Sequence, residues 1–193
     1  IRSTIRDFAQ NEIKPLAREL DEKAEFSVEL TKKMGKLGLL GMTVPEKYGG
    51  QGYDYLSYII AVEEIARVDG SQAATVAAHN SLGVGPIYYF GTEEQKKKLL
   101  PGLCSGEGLW AFGLTEPEAG SDSRGTKTTG KLSGEGWVIN GSKTFITNAS
   151  SAMAKGATVQ VVTDKKGEEK EFSTILVEKG TPGLHIGKVE DKL

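Results

Sequence analysis

Phe112-Gly113-Leu114-Thr115-Glu116-Pro117-Glu118-Ala119-Gly120-Ser121-Asp122 holds the densest chemistry in the chain and lies just past the point where the sequence changes its period. Before Gly108, apolar residues recur at spacings of three and four; after it they alternate. The apolar run Leu109 to Leu114 delivers the backbone into Thr-Glu-Pro, where Pro117 has no N–H and biases Glu116 toward extended conformations. Ala119-Gly120-Ser121-Asp122 then groups small residues around a glycine, so the backbone can approach a ligand closely and aim successive N–H groups at an anion. Thr115 and Ser121 add two hydroxyls. Ordinary surface turns use the same residue types, so on its own the stretch leaves both a binding loop and a plain pair of turns open.

Upstream, Ile1, Ile5, Phe8, Ala9, Ile13, Leu16 and Leu20 mark one face of an amphipathic helix running to about Lys23, which Pro15 is expected to kink or split. Ser27 is placed to cap a second helix carrying Leu30, Met34 and Leu37, with Gly38 as its stop. Asp54 caps a third, through Leu56, Ile59, Ile60 and Ile65. Between them, Gly49-Gly50-Gln51-Gly52 lacks the preceding strand and the glycine spacing of a phosphate-binding loop. Ser71 to about His79 is small and apolar, as suits a helix packed tightly or lining a cavity. Thr92-Glu93-Glu94-Gln95 is a capping box that opens a short helix, Glu93 to Leu100, expected to end at Pro101. The Lys96-Lys97-Lys98 run reads as a solvated face.

Downstream, Leu109 to Leu114, Trp137 to Asn140, Lys143 to Thr147, Ala157 to Thr163, Phe172 to Val177 and Leu184 to Val189 read as strands, with Asn140-Gly141 as a hairpin turn and Asp164 to Lys170 as a hairpin loop. Helices first and strands second indicate an α+β chain, with an all-helical unit over residues 1–108 and a β unit over 109–193.

The chain has 193 residues, 24 basic and 26 acidic, a net charge of -2 and no basic stripe, so nucleic acid is not an expected partner. No apolar run has the length of a membrane span and no signal peptide is evident. The single cysteine, Cys104, excludes an internal disulfide framework and fits a reducing compartment, the cytoplasm or an organelle matrix. With two histidines, His79 and His185, and no clustered carboxylate or thiol at ligand spacing, no metal site is expected and a structural role suits His79 best.

Phe145-Ile146-Thr147-Asn148 is the second informative stretch, an aromatic ring, a hydroxyl and a turn residue in close succession. Taken with Phe112 to Asp122 and with Asn140-Gly141-Ser142-Lys143-Thr144, it resembles the flavin-dependent acyl-CoA dehydrogenases. Val44-Pro45-Glu46-Lys47-Tyr48-Gly49-Gly50, Gly91 to Lys96 with Pro101, and Thr181-Pro182-Gly183 match as well, so the resemblance covers essentially the whole chain.

The resemblance implies an N-terminal helical domain followed by a middle domain of β-barrel or sandwich type, with the chain stopping at Glu190-Asp191-Lys192-Leu193, before the family's C-terminal helical bundle. It implies FAD as cofactor, held by Phe112, Leu114, Thr115, Gly120, Ser121, Phe145, Ile146 and Thr147. Leu114 and Thr115 would face the pyrimidine end of the flavin ring, where negative charge develops as hydride arrives. Gly120 and Ser121 would approach the pyrophosphate, and Ser121 would also contact the CoA portion of the substrate. Phe145 would pack on the ring, with Ile146 beside it, and Thr147 would donate to N5. The family often carries tryptophan where this chain has Phe145, which loses an indole N–H.

The implied reaction is α,β-dehydrogenation of an acyl-CoA to a trans-2-enoyl-CoA; the small residues Ala73 to Ala78 would line the acyl end of the pocket, and Ala78-His79-Asn80-Ser81-Leu82 is most similar to the short- and branched-chain members. The catalytic base has no counterpart in this chain; Glu116 and Glu118 are rejected for that role. Expected partners are the acyl-CoA substrate, an electron-transferring flavoprotein and further copies of the chain in a dimer or tetramer. The expected location is the cytoplasm, or the mitochondrial matrix in a eukaryote. An acyl-CoA oxidase of the same fold, and a flavin-free partner-binding module, are the alternatives.

Overall fold

The N-terminal amphipathic pattern folds as helices α1 (Arg2–Phe8) and α2 (Lys14–Glu22), joined without a break by a wide π turn over Ala9–Ile13. In that turn the Lys14 N–H donates to the Ala9 carbonyl, five residues back, and Pro15, with no N–H to give, falls in the first turn of α2. The computed structural model describes residues 1–134, 136–167 and 169–190.

Both expected caps are present. The Ser27 side chain accepts from the Leu30 N–H at 3.2 Å to start α3 (Val28–Lys36), and Gly38, at φ +75°, turns the chain after it. Asp54 accepts from the Ser57 N–H at 2.7 Å to start α4 (Tyr55–Ala66). In between, the N–H groups of Gln51, Gly52 and Tyr53 donate to the carbonyls of Gly41, Val44 and Met42. A Cβ on Gly50 would lie 2.0 Å from the Val44 oxygen. These glycines serve a tight internal turn whose donors are already spent, so no anion cradle forms there.

Asp69 caps α5 (Gly70–Ala78), accepting from the Ser71 and Gln72 N–H groups. A second π turn, His79–Val84, leads into α6 (Gly85–Phe90). The capping box at Thr92 is complete: Thr92 Oγ1 accepts from the Gln95 N–H and Gln95 Oε1 from the Thr92 N–H. It opens α7 (Glu93–Ser105), which does not end at Pro101 as the sequence suggested. Pro101 forfeits one intrahelical bond, but the turn after it buries Leu103 and Cys104 beside Leu100, and that burial outweighs the loss. The stop is Gly106, at φ +83°.

From Leu109 the chain is stranded: β1 (Leu109–Gly113), β2 (Thr129–Ser133), β3 (Gly136–Asn140), β4 (Ala154–Lys166) and β5 (Glu169–Glu178) form one mixed sheet. β4 is its spine. It pairs antiparallel with β5 along one edge, and on the other it runs parallel to β1 through residues 154–159 and meets β2 at Val162. The β4–β5 hairpin falls in the polar stretch expected to turn, with Lys166 opposite Glu169.

Three strand-level expectations are corrected. The hairpin before Asn140 joins β2 to β3 through the turn that contains Gly134, at φ +62°, not through Asn140-Gly141. Gly141 is a glycine for another reason: a Cβ there would lie 2.3 Å from Thr128 Oγ1. Lys143 to Thr147 is not a strand, because Phe145 adopts φ +57°, a left-handed conformation that breaks an extended chain. Leu184 to Val189 is irregular and exposed, paired with no strand among the described residues; Asp191 to Leu193 lie outside them.

Two apolar clusters form the core. One gathers Ile5, Ile13, Leu30, Met34 and Ile65 with Leu109 and Met153; the other gathers Val44, Tyr48, Val84 and Leu100 with Trp110. The first two residues of β1 thus reach both clusters. β1 packs on the π turn at His79–Val84, where a Cβ on Gly83 would lie 2.5 Å from the Trp110 carbonyl oxygen. Among the described residues no helix is long and apolar enough to cross a membrane.

Candidate functional site

The two informative loops lie side by side. Beyond β1 the chain runs Leu114-Thr115-Glu116, and beyond β3 it runs Ser142-Lys143-Thr144. The Thr144 N–H donates to the Thr115 carbonyl at 2.9 Å. Lys143 Nζ donates to the Leu114 carbonyl at 3.0 Å and to Glu116 Oε1 at 2.7 Å. Glu116 also accepts from the Lys127 N–H at 2.7 Å and the Thr128 N–H at 3.0 Å. Its side chain is 4% exposed and that of Lys143 11%, so the pair is screened little by solvent. Burial alone would raise the Glu116 carboxyl, but the bonds from Lys143, Thr128 and Lys127 outweigh it and hold the group at about 2.

The first loop is closed by a tight turn. Glu116 and Ala119 exchange both backbone hydrogen bonds across Pro117-Glu118, and the Asp122 side chain caps the short turn at Ser123–Gly125. Gly120 and Ser121 sit exposed between these two fixed points. Their N–H groups and the Thr115 N–H have no partner among the described residues, and a Cβ on Gly120 would meet nothing within 4 Å. The hydroxyls of Thr115, Ser121 and Thr147 are likewise without hydrogen bonds among the described residues.

The second loop presents Phe145, 61% exposed despite its ring, with Ile146 half-buried and Thr147 exposed. A phenylalanine held left-handed is strained by about 1–2 kcal/mol. Asn148, at φ +68°, ties this loop to α5 through a long 3.4 Å contact from its Nδ2 to the Thr75 carbonyl. Of the predicted residues, Leu114 and Thr115 are thus directly bonded to the second loop, and Gly120 and Ser121 follow on the same anchored turn. Phe112 is half-buried within β1, opposite Thr158, and reaches the loop only through the strand.

The carboxylates rejected as a base are both engaged, Glu116 as above and Glu118 with Lys127 on the surface. His79 is structural: fully buried, its Nε2–H donates to the Leu103 carbonyl at 3.1 Å while Nδ1 accepts the Trp110 N–H at 3.2 Å. Burial lowers it to about 4, so the ring is neutral at physiological pH. Burial also pushes the Cys104 thiol up to about 12, which leaves it inert. Among the described residues no group of three histidine, cysteine or carboxylate side chains could hold a metal.

Lys143 is the site residue that sequence reasoning missed as an actor. Its signal was a single lysine in a run, Thr144-Phe145-Ile146 following, that is otherwise apolar or small, matched by the single acid between Leu114-Thr115 and Pro117.

A helical part leading into a mixed sheet, with two mutually bonded loops that follow β1 and β3 and carry unspent donors, defines an α+β protein with a candidate ligand site. The family model for the acyl-CoA dehydrogenase N-terminal domain matches residues 1–107 and that for the acyl-CoA dehydrogenase middle domain matches residues 111–193. The chain belongs to the acyl-CoA dehydrogenase family. It is similar to a short-chain specific acyl-CoA dehydrogenase of Clostridium acetobutylicum, 47% identical over 193 residues, covering 100% of this chain and 50% of that protein. Butyryl-CoA dehydrogenase from Megasphaera elsdenii superimposes with a TM-score of 0.92 at 42% identity, over 99% of this chain and 50% of that one. An acyl-CoA dehydrogenase complexed with FAD from Bacillus anthracis does so with a TM-score of 0.89 at 45% identity, over 99% of this chain and 33% of that one. The chain spans about half the length of the curated relatives it matches.

Proposed function

We propose that this chain provides the FAD-binding loops and part of the acyl-CoA site of a dehydrogenase that converts short-chain acyl-CoA thioesters to trans-2-enoyl-CoA. The observation that carries the reading is the junction of the two loops: Lys143 and Thr144 bonded to Leu114 and Thr115, with the donors of Thr115, Gly120, Ser121 and Thr147 left unspent around it. These residues fit FAD. The backbone at Gly120 is open enough for a pyrophosphate to lie against it, and Gly120 and Ser121 supply paired N–H donors for its charge. Phe145 offers an exposed aromatic face to a flat ring, and strain at an exposed aromatic is a mark of a binding site.

FAD, when bound, supplies the hydride acceptor. The residues of this chain then have defined tasks. Leu114 and Thr115 would present backbone and hydroxyl groups to the pyrimidine end, held in advance by the bonds to residues 143 and 144, as stabilisation of charge there requires. Thr147 would donate toward N5, with Phe145 and Ile146 against the ring. Ser121 would contact the CoA portion. The small residues of α5, with Ala74 exposed and Ala77 and Ala78 half-buried, leave room for the acyl chain. The reading assigns no base to this chain, since Glu116 is triply bonded and Glu118 is a surface residue. It takes residues 1–108 and 109–193 as two domains, an electron-transferring flavoprotein as the acceptor, and a homo-oligomer in the cytoplasm or a mitochondrial matrix.

The names of the relatives support a short-chain substrate. The test is an anaerobic absorption spectrum of the full-length protein before and after addition of butyryl-CoA. Flavin bands that bleach are expected. Bands that persist would remove the short-chain assignment, and their absence would remove FAD.

A further inference from the structure

Leu114 C=O and Thr115 N–H belong to one peptide unit. Lys143 donates to its oxygen at 3.0 Å, while its N–H has no partner among the described residues. A cation bonded to the carbonyl end of a peptide polarises it and strengthens the N–H at the other end, and in a weakly screened setting that effect is retained. The next peptide is held as well, since the Thr115 carbonyl accepts the Thr144 N–H at 2.9 Å. The lysine's charge is balanced at 2.7 Å by Glu116, which three donors fix in place.

We propose that Lys143 is a positioning residue for the flavin loop: it orients and polarises the Leu114–Thr115 peptide toward the bound ring, and Glu116 balances its charge so that the pair sets the flavin's reduction potential. The inference rests on the flavin reading above and deepens it. It has a consequence with a sign. Lys143→Met removes the polarisation and leaves the Glu116 carboxylate uncompensated beside the ring, which disfavours the extra negative charge of the reduced flavin and lowers the potential. Glu116→Gln leaves the Lys143 ammonium uncompensated and raises it. A pair that merely held the fold together would give no such opposition.

The experiment is a reductive titration of the full-length protein against a redox dye, for wild type, K143M, K143R, E116Q and the K143M/E116Q double variant, with flavin content and far-ultraviolet circular dichroism recorded for each. Expected are a lower potential for K143M, a higher one for E116Q, and values close to wild type for K143R and the double variant, with FAD binding roughly tenfold weaker in K143M and E116Q, the loss of about one charged hydrogen bond. Shifts of the same sign in both single variants, or no shift in either with flavin retained, would overturn the inference while leaving the flavin reading standing. Loss of folded protein in all four variants would overturn it too, showing a folding role only. A wild-type protein without flavin bands would instead take down the flavin reading itself.

Discussion

His79 gives the most direct test of the packing between the helices and the sheet. Its ring bridges the Leu103 carbonyl at the end of α7 and the Trp110 N–H in β1, and it does so neutral. Burial lowers it from 6.5 to about 4, so the folded state resists a proton that the unfolded chain takes up readily. Its contribution is therefore complete above pH 6.5 and is lost as the pH falls toward 4. The full loss is about 3 kcal/mol, and at pH 5 about 2 kcal/mol of it has gone. With a urea dependence of about 2 kcal/mol per molar for a chain of this size, the midpoint should drop by about 1 M between pH 7.5 and pH 5 on account of this ring. His79→Gln keeps an amide donor and acceptor and cannot titrate, so its midpoint should fall by about 1 M less than that of wild type over the same interval. His79→Leu leaves both backbone groups unpaired and should lose about 2–4 kcal/mol at pH 7.5. Urea unfolding at the two pH values measures all three. A glutamine variant that keeps the whole wild-type pH dependence would refute the assignment of the drop to His79.

Gly83→Ala should destabilise the protein by about 1–3 kcal/mol, because the added methyl meets the Trp110 carbonyl at 2.5 Å and the π turn or β1 must move; thermal unfolding reads it. Gly120→Val should leave stability nearly unchanged, since a Cβ there meets nothing within 4 Å, while weakening FAD binding by about tenfold or more; flavin titration against thermal unfolding separates the two, and equal losses would count against the phosphate approach. Glu64, held at about 2 chiefly by Arg6 and also by Arg2, supplies stability that is complete above about 4.5 and is lost as the pH falls through about 2. Glu64→Gln should therefore flatten the acid limb of the unfolding profile. Thr92→Ala removes the side chain that caps α7 and should lower stability by about 1 kcal/mol in denaturant unfolding.

Local chemistry was what the sequence displayed well. Ser27, Asp54 and Thr92 announce helix starts because a cap is decided by residues three apart, and the aromatic residues of β1 and the branched runs of β4 and β5 announce strands from local composition. β2 was not legible: Thr129-Gly130-Lys131-Leu132-Ser133 has little strand preference of its own and is extended because it pairs with Gly136–Asn140. Asn140-Gly141 carries a strong turn signal, yet the close approach of Thr128 decided its role. Pro101 misled because the gain from burying the turn beyond it is a tertiary quantity. The loops of the site were visible in their glycines, proline and hydroxyls. The strut between them was not, since Lys143 and Glu116 meet across 27 residues of chain and only the fold brings them together.

The π turns at Ala9–Ile13 and His79–Val84 each accommodate one residue more than an α-helix would in the same length. Removing a single residue from the second would close the wide turn to an ordinary α turn and leave the helices on either side nearly in register, since the extra residue is what the turn absorbs. The change would fall on the residues inside the turn, between His79, which faces Trp110, and Leu82, which faces outward at 49% exposure. The segment is therefore a place where a one-residue change of length is absorbed locally, at the expense of the contacts the turn itself makes with β1.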